Sequence, residues 1–485
     1  MNNITITVNN AESQIQGLLS PDVLEAIDNT CSFDVLGAQF TPIVQKGFWD
    51  GRRRLFSKKT GTFSTGLLQR VRAVLEQYQY TVTITDNRPV FQITTPLPVN
   101  ITPYDWQEEI IQKCFSAQRG VIKVATGGGK SRMQIYITAK LNKKTVIVVN
   151  KLDILLQFME WIKADLGFEP GQIGAGVVNP QQITLLMIQT AASAYRIKPE
   201  NLEKDTTVID NAKRDLITKT IEEAEVVIGD EVHGLIGGTW YKLHKYFTNA
   251  SYKLGFSATP GYTEEAHLLL EAAFGPKLVD ITCSELIKKG YLTKPNIYFI
   301  NFKHDRVSRE LNYGALYTQE VTENVNRNLI IVKTAVNFWK AGRRILISVL
   351  HIKHGEILYE MLKKVVGPNE VVFAQGTTAM KDRQQALKDL NDGKIRLVVA
   401  TKIFSEGVDV KHLDVLINAK AQISAIDYLQ IIGRVLRTAP GKVTADVIDF
   451  YDWGCRYLTN HSKERLDLML REPEFSIKKI DSEKV

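Results

Sequence analysis

The clearest chemical signal in the chain is Ala125-Thr126-Gly127-Gly128-Gly129-Lys130-Ser131, which follows the apolar run 121–124 and precedes a periodic stretch, 133–141. Glycines let a backbone curl until successive N–H groups point at phosphate oxygens, and a helix start behind them adds the positive end of its dipole. In such a loop Lys130 reaches the β- and γ-phosphates and the Ser131 hydroxyl ligates magnesium. The full pattern wants glycine five residues before Gly129, where Val124 stands, so this is the shorter A-x-x-x-G-K-S form. On its own, a triple glycine before a lysine is also a plain turn.

A second site answers the first. Val226-Val227-Ile228-Gly229-Asp230-Glu231-Val232-His233 puts two carboxylates at the end of an apolar strand, 100 residues after Lys130. In a parallel sheet the carboxyl ends of the strands gather along one edge, so loop and acids can meet. Asp230 would hold magnesium and Glu231 would polarise an attacking water. Ser257-Ala258-Thr259-Pro260 ends another short run and offers hydroxyls that bond back toward Asp230. Farther on, Gln430, Arg434 and Arg437 fall at i, i+4 and i+7, nearly one helical face, with Ile431, Ile432, Val435 and Leu436 to anchor the other. Guanidiniums so placed stabilise phosphate charge during transfer. Thr401 and Gly407-Val408-Asp409 follow the run 397–400. Thr401 could bind a nucleic-acid phosphate, while Gly407 and Asp409 could line an interdomain cleft.

These residues need strand ends to stand on, and the pattern supplies them. Short β-branched runs at 121–124, 145–149, 183–188, 226–228 and 253–256, then at 345–350, 371–373, 397–399, 415–417 and 447–448, alternate with longer helical stretches. That rhythm predicts parallel sheets built from βαβ units. The first hundred residues differ. Ile4-Thr5-Ile6-Thr7-Val8 and Tyr80-Thr81-Val82-Thr83-Ile84 alternate as strands. Ser20-Pro21 reads as a helix cap, and Leu67, Leu68, Val71, Val74, Leu75 and Tyr78 recur at helical spacing. The expected domains are a small α+β domain over 1–95, then α/β domains over 96–290 and 291–485. The charged tail 472–485 reads as unstructured.

Composition narrows the class. The 485 residues are 44% apolar and 24% charged, with a net charge of +8, a globular profile with a slight bias toward polyanions. No apolar run is long enough to span a membrane, and the amino terminus lacks a secretion pattern. Cys31, Cys114, Cys283 and Cys455 lie far apart, which fits a reducing, cytoplasmic setting rather than a disulfide framework.

The order of these motifs resembles superfamily-two helicases. Ala125–Ser131, 230–233, 257–259, 401–409 and 430–437 look like motifs I, II, III, V and VI, across residues 100–450. The resemblance implies two RecA-like domains that use ATP and Mg2+. It also implies nucleic-acid contacts at Asn150 and Lys151 (motif Ia) and at Gln189 and Thr190 (motif Ic), and a role for His233 with Ser257 and Thr259 in coupling. Trp106 and Gln107 stand where the family contacts adenine. There Tyr104 replaces the usual arginine and Trp106 the usual tyrosine, which weakens adenine selectivity. Motif II reads D-E-V-H and motif VI Q-x-x-G-R-x-x-R, away from DEAD-box RNA helicases and toward DNA translocases.

Gly47-Phe48-Trp49-Asp50-Gly51-Arg52-Arg53-Arg54-Leu55-Phe56, with Gly66-Leu67-Leu68, resembles the leading domain of UvsW-type helicases of tailed phages. That family implies branch migration, fork regression and resolution of recombination intermediates or R-loops, with 3′→5′ movement. It sets the partner as branched or forked DNA for a monomer in the host cytoplasm, with recombination or replication proteins as further partners. The residues agree. Lys46, Arg52, Arg53, Arg54, Lys58 and Lys59 face one acid, Asp50, within 46–59, whereas the first hundred residues carry nine basic and eight acidic side chains. Trp49, Arg52, Arg53 and Arg54 would grip phosphates and stack on bases. Equally, Trp49 and Phe56 are core anchors and the arginines a solvated hairpin. Other readings of the whole chain are a restriction-type translocating subunit, an ATP-gated clamp, and an RNA helicase.

Overall fold

Strands that alternate apolar and polar residues fold into sheets with one buried face, while continuous β-branched runs need cover on both faces, and this chain holds both kinds. The computed structural model describes residues 3–484 except 93, 199–206, 236–237, 260–262, 306–311, 376–379, 402–409, 411 and 423–424. By internal contact the chain divides into two compact units. One is Met1–Val124 with Gly129–Asp280, the other Ile281–Val485 with Ala125–Gly128.

In the first unit the amino-terminal sheet runs Phe56–Ser57, Thr62–Ser64, Glu12–Gln16, Asn3–Val8, Thr81–Asp86. Ile4, Ile6 and Val8 are buried beneath helices Pro21–Thr30 and Leu68–Gln77, as the alternation predicts. Pro21 opens its helix with Ser20 as cap residue. Two further strands, Ser32–Asp34 and Arg52–Arg54, pair antiparallel around the excursion 35–51. The core of this small sheet is completed from outside it. Leu268, Leu269 and Ala272 of helix Glu264–Phe274 pack into it. Gly66 lies so close to that helix that a Cβ would stand 1.9 Å from the Glu271 carbonyl oxygen. The Asn10 amide donates to the carbonyls of Phe247 and Thr248 at 2.8 and 2.7 Å, and the Arg119 guanidinium donates to the Asn10 carbonyl at 2.8 Å.

The second sheet of this unit has eight strands, ordered Val177–Asn179, Gly171–Gly174, Ile183–Met187, Thr145–Val149, Val226–Gly229, Tyr252–Ser257, Arg119–Val124, Lys277–Ile281. The six from Gly171–Gly174 to Arg119–Val124 are parallel. Apart from Gln172 and Lys123 their residues are buried, as doubly covered strands require. Beyond its periodic apolar positions, helix Lys130–Leu141 also buries Gln134 and Thr138, leaving Arg132, Tyr136 and Lys140 as its more open stripe.

The second unit holds a seven-stranded parallel sheet, Val371–Ala374, Leu397–Ala400, Ile345–Ser348, Val415–Asn418, Ala445–Trp453, Pro295–Lys303, Ser476–Asp481. The tail read as unstructured is therefore corrected: Ser476–Asp481 is an edge strand registered on Pro295–Lys303. The fold is α/β, with two RecA-like parallel sheets behind an α+β amino-terminal region.

Candidate active site

Strand order decides what meets. Because Arg119–Val124, Tyr252–Ser257 and Val226–Gly229 are neighbours, their carboxyl ends bring the glycine loop, Ser257 and Asp230 to one edge. In the loop, Gly127 (φ +90°) and Gly129 (φ +78°) adopt left-handed backbone, which glycine takes without strain. Gly129 is fixed twice over. A Cβ there would stand 2.7 Å from the Gln107 side-chain nitrogen, so the glutamine lies directly against the phosphate loop. Gln107 is buried near the start of helix Asp105–Ala117, and its Oε1 accepts from the Tyr104 N–H at 3.1 Å. Trp106 is buried in the same turn. Ser131 follows Lys130 in the first turn of helix Lys130–Leu141, and Thr126 and Gly128 complete the loop.

Lys130 folds inward, donating to the Val124 carbonyl at 3.3 Å, with Glu231 Oε1 3.6 Å away. Asp230 is buried and accepts from the Gln134 amide at 2.6 Å. Burial, then the neighbouring Glu231 charge, pushes its carboxyl well above the usual carboxylate range. Burial acts on Glu231 in the same direction, but the Lys130 ammonium and the His233 imidazole outweigh it and hold Glu231 well below that range. Glu231 takes a left-handed φ of +44°, which turns its side chain away from the strand direction. Its Oε2 lies 3.2 Å from His233 Nδ1 and 3.5 Å from Ser257 Oγ. His233 Nδ1 and Ser257 Oγ are 2.9 Å apart, and Ser257 Oγ accepts from the Thr259 N–H at 3.1 Å. One connected network thus joins Lys130, Glu231, His233, Ser257 and Thr259. A donor-rich loop beside a buried carboxylate with too few cations suits a nucleotide phosphate and a divalent ion.

In the second unit, Gln430 and Arg434 lie on helix Ala425–Val435, with Gln430 buried. The helix stops before Arg437. That residue forms an isolated antiparallel bridge with Leu292, so it lies beyond the helix that carries the other two. Thr401 is buried at the end of Leu397–Ala400, its N–H bonded to the Ala374 carbonyl at 3.2 Å. Gly407 and Asp409 lie outside the described residues.

The expected nucleic-acid contacts divide. Asn150 and Lys151 are half-buried after strand Thr145–Val149. Gln189 and Thr190 are 1% and 0% exposed, and Gln189 donates to the Asn150 carbonyl at 2.8 Å, so these two face the interior rather than a ligand. In the amino-terminal patch Phe56 is core. Trp49 is half-buried, its Nε1 donating to the Arg52 carbonyl at 2.8 Å. Arg52 bonds Asn29 and lies 3.4 Å from Asp34, Arg53 stacks over Tyr241, and Arg54 pairs with Asp28 and Asp50. The arginines largely serve the fold.

Sequence reasoning missed Gln134, the partner of Asp230, because its signal was one polar residue inside a helical run. It also missed two buried arginines in the second unit. Arg327 bonds Asp452 and the Ala419 carbonyl, each at 3.0 Å, while Arg465 bonds Asp449 at 3.0 Å and reaches the Gln422 carbonyl at 3.4 Å. Together they bond the chain at Ala419 and Gln422, just after strand Val415–Asn418.

Parallel sheets carrying this phosphate loop, acidic strand end and arginine helix define a superfamily-two helicase, and the chain belongs to that superfamily. Residues 100–262 match the family described as "Type III restriction enzyme, res subunit", and 327–439 match "Helicase conserved C-terminal domain". Among curated proteins, the "ATP-dependent DNA helicase uvsW" of Enterobacteria phage T4 is 22% identical over 87% of this chain and 85% of its own. The "DNA 3'-5' translocase XPB2" of Sulfurisphaera tokodaii is 26% identical over 69% of this chain and 78% of its own. A solved fragment of a putative HsdR subunit from Vibrio vulnificus, 16% identical, covers 79% of this chain and 70% of its own with a TM-score of 0.57, which shows the fold. As the family requires, the protein is an ATP-driven motor enzyme.

Proposed function

We propose that the protein is an ATP-dependent DNA helicase that remodels branched DNA by branch migration, fork regression or unwinding of recombination intermediates and R-loops, with 3′→5′ movement. The observation that carries the reading is the Lys130–Glu231–His233–Ser257–Thr259 network at one strand edge. The DNA substrate rests on the printed activities of the UvsW and XPB2 relatives.

Bound ATP with magnesium supplies the phosphoanhydride and the charge that neutralises it. Ser131 and Asp230 would hold the ion, and Lys130 would turn from Glu231 to the terminal phosphates. Glu231, with His233 still beside it, would orient the attacking water and take its proton. Ser257 and His233 then carry the change in Glu231 to Thr259. Gln430, Arg434 and Arg437 supply donors to the transferring phosphate, and Trp106 and Gln107 hold the base. Asn150, Lys151 and Thr401 contact the DNA backbone.

The test is ATP-dependent movement of a mobile four-way junction, with Lys130→Ala as control. Conversion that vanishes in the variant supports the reading. Hydrolysis stimulated by DNA without conversion would sink branch migration. It would favour the second reading, a restriction-type translocating subunit, to which the res-subunit match and the HsdR fold point.

A further inference from the structure

Of the aromatic residues on which the sequence reading settled, Phe56 is buried and Trp49 half-buried, yet the same stretch presents others to solvent. Between the paired strands Ser32–Asp34 and Arg52–Arg54 the chain makes the excursion 35–51. It is a built structure rather than a loose loop. The Val35 N–H bonds the Gly51 carbonyl at 2.9 Å and the Phe48 N–H bonds the Ile43 carbonyl at 3.0 Å, with Ala38 buried beneath. Gly37, Gly47 and Gly51 take left-handed turns. From this frame Leu36, Phe40, Ile43 and Phe48 project 90%, 76%, 57% and 81% exposed. Phe40 and Phe48 are the two most exposed aromatic side chains among the described residues.

Such a surface would ordinarily be covered, because exposed aromatic area is costly in water. Its surroundings say by what. Lys46 lies on the excursion and Lys58 and Lys59 on the turn just beyond the arginine strand. The acids nearby, Glu25, Asp28, Asp34 and Asp50, are occupied by Arg52, Arg54 and Lys58, so Lys46 and Lys59 supply the cationic base. Apolar knobs on a cationic base fit nucleic acid whose bases are unstacked, since rings take the base faces and lysines the phosphates. The excursion also belongs to the same compact unit as Lys130 and Glu231.

We propose that the excursion 35–51 is a wedge that takes unpaired bases at a DNA branch point, with Phe40 and Phe48 as the stacking residues. The proposal deepens the DNA-remodelling reading and rests on it for the ligand.

The test uses the full chain and its Phe40→Ser/Phe48→Ser variant, both sites exposed so that folding is spared. A forked DNA carrying 2-aminopurine at the branch is titrated without ATP, and junction conversion is followed separately. The wild type should quench the 2-aminopurine, and the variant should lose the quench and bind the fork at least about tenfold more weakly. Hydrolysis without DNA should be unchanged. Equal quenching and affinity in both proteins would overturn the wedge. So would loss in the variant of binding to anionic phospholipid vesicles, or a shift from dimer to monomer, with fork binding intact. If the wild type quenches the fork but moves no junction, the wedge stands and the branch-migration reading falls.

Discussion

Both units bury carboxylates along a central parallel strand, and they treat them in opposite ways. In the second unit Asp449 and Asp452 are each matched by a buried arginine, and His304 adds a contact to Asp452 at 3.0 Å. Burial would raise Asp452, but Arg327 and His304 outweigh it and hold the carboxyl well below its ordinary range. In the first unit Asp230 has an amide for a partner and Glu231 for a neighbour, and its carboxyl is raised. Saturated carboxylates organise a fold, whereas undersupplied ones store affinity for a cation that arrives later.

The largest effect should come from removing a saturated acid. Asp452→Asn leaves Arg327 buried beside a neutral group and should cost about 3–5 kcal/mol in denaturant unfolding. A loss below about 1 kcal/mol would break the contrast. Asp230→Asn should do the reverse, because it deletes a buried like charge and keeps the Gln134 bond. With chelator present it should unfold no more readily than the parent, while steady-state ATP hydrolysis falls at least about a hundredfold. Lys130→Ala should lose hydrolysis to a similar degree. It also removes one of the two groups that keep Glu231 ionised, so the variant should be measurably less stable at every pH above about 4.5, where Glu231 is charged in the unfolded chain.

The smallest effect is the pH dependence. Asp230 is raised above its unfolded pKa of about 4, so the folded state binds the extra proton. Without divalent ions, the first unit should therefore lose stability as pH climbs from about 4 through the raised folded value. Asp452 is depressed, so its contribution is present above about 4 and lost only as pH falls below that. Thermal unfolding in chelator at pH 5.5 and 8 reads the first slope, and excess magnesium should flatten it.

How legible each part was follows from the same physics. The interior strands could be read because cover on both faces forces unbroken β-branched runs, as in Thr145–Val149 and Val415–Asn418. The edges could not. Val177–Asn179 is three residues long with Val177 and Asn179 exposed, and Ser476–Asp481 carries two exposed lysines because one side of an edge strand meets water. Spacing placed Arg437 on the helix, but the chain leaves the helix after Val435 to bridge Leu292. Motif order put Lys130, Glu231, His233 and Ser257 at strand ends, and the fold brings these side chains together because those strands are neighbours. It could not tell that Gln189 points inward or that Phe48 rather than Phe56 is exposed, because burial depends on partners distant in the chain.

Such a partner also sets a timetable. The core of the amino-terminal sheet lacks Leu268, Leu269 and Ala272 until that helix exists. On the ribosome, the sheet is assembled through Asp86 roughly 190 residues before Ala272 emerges, a wait of about 10–40 s at ordinary elongation rates. During that interval Ile4, Ile6, Val71 and Leu75 have an unfinished cover. A segment made early is thus sealed late, and its closure requires the ATP-binding sheet to have been made as far as helix Glu264–Phe274.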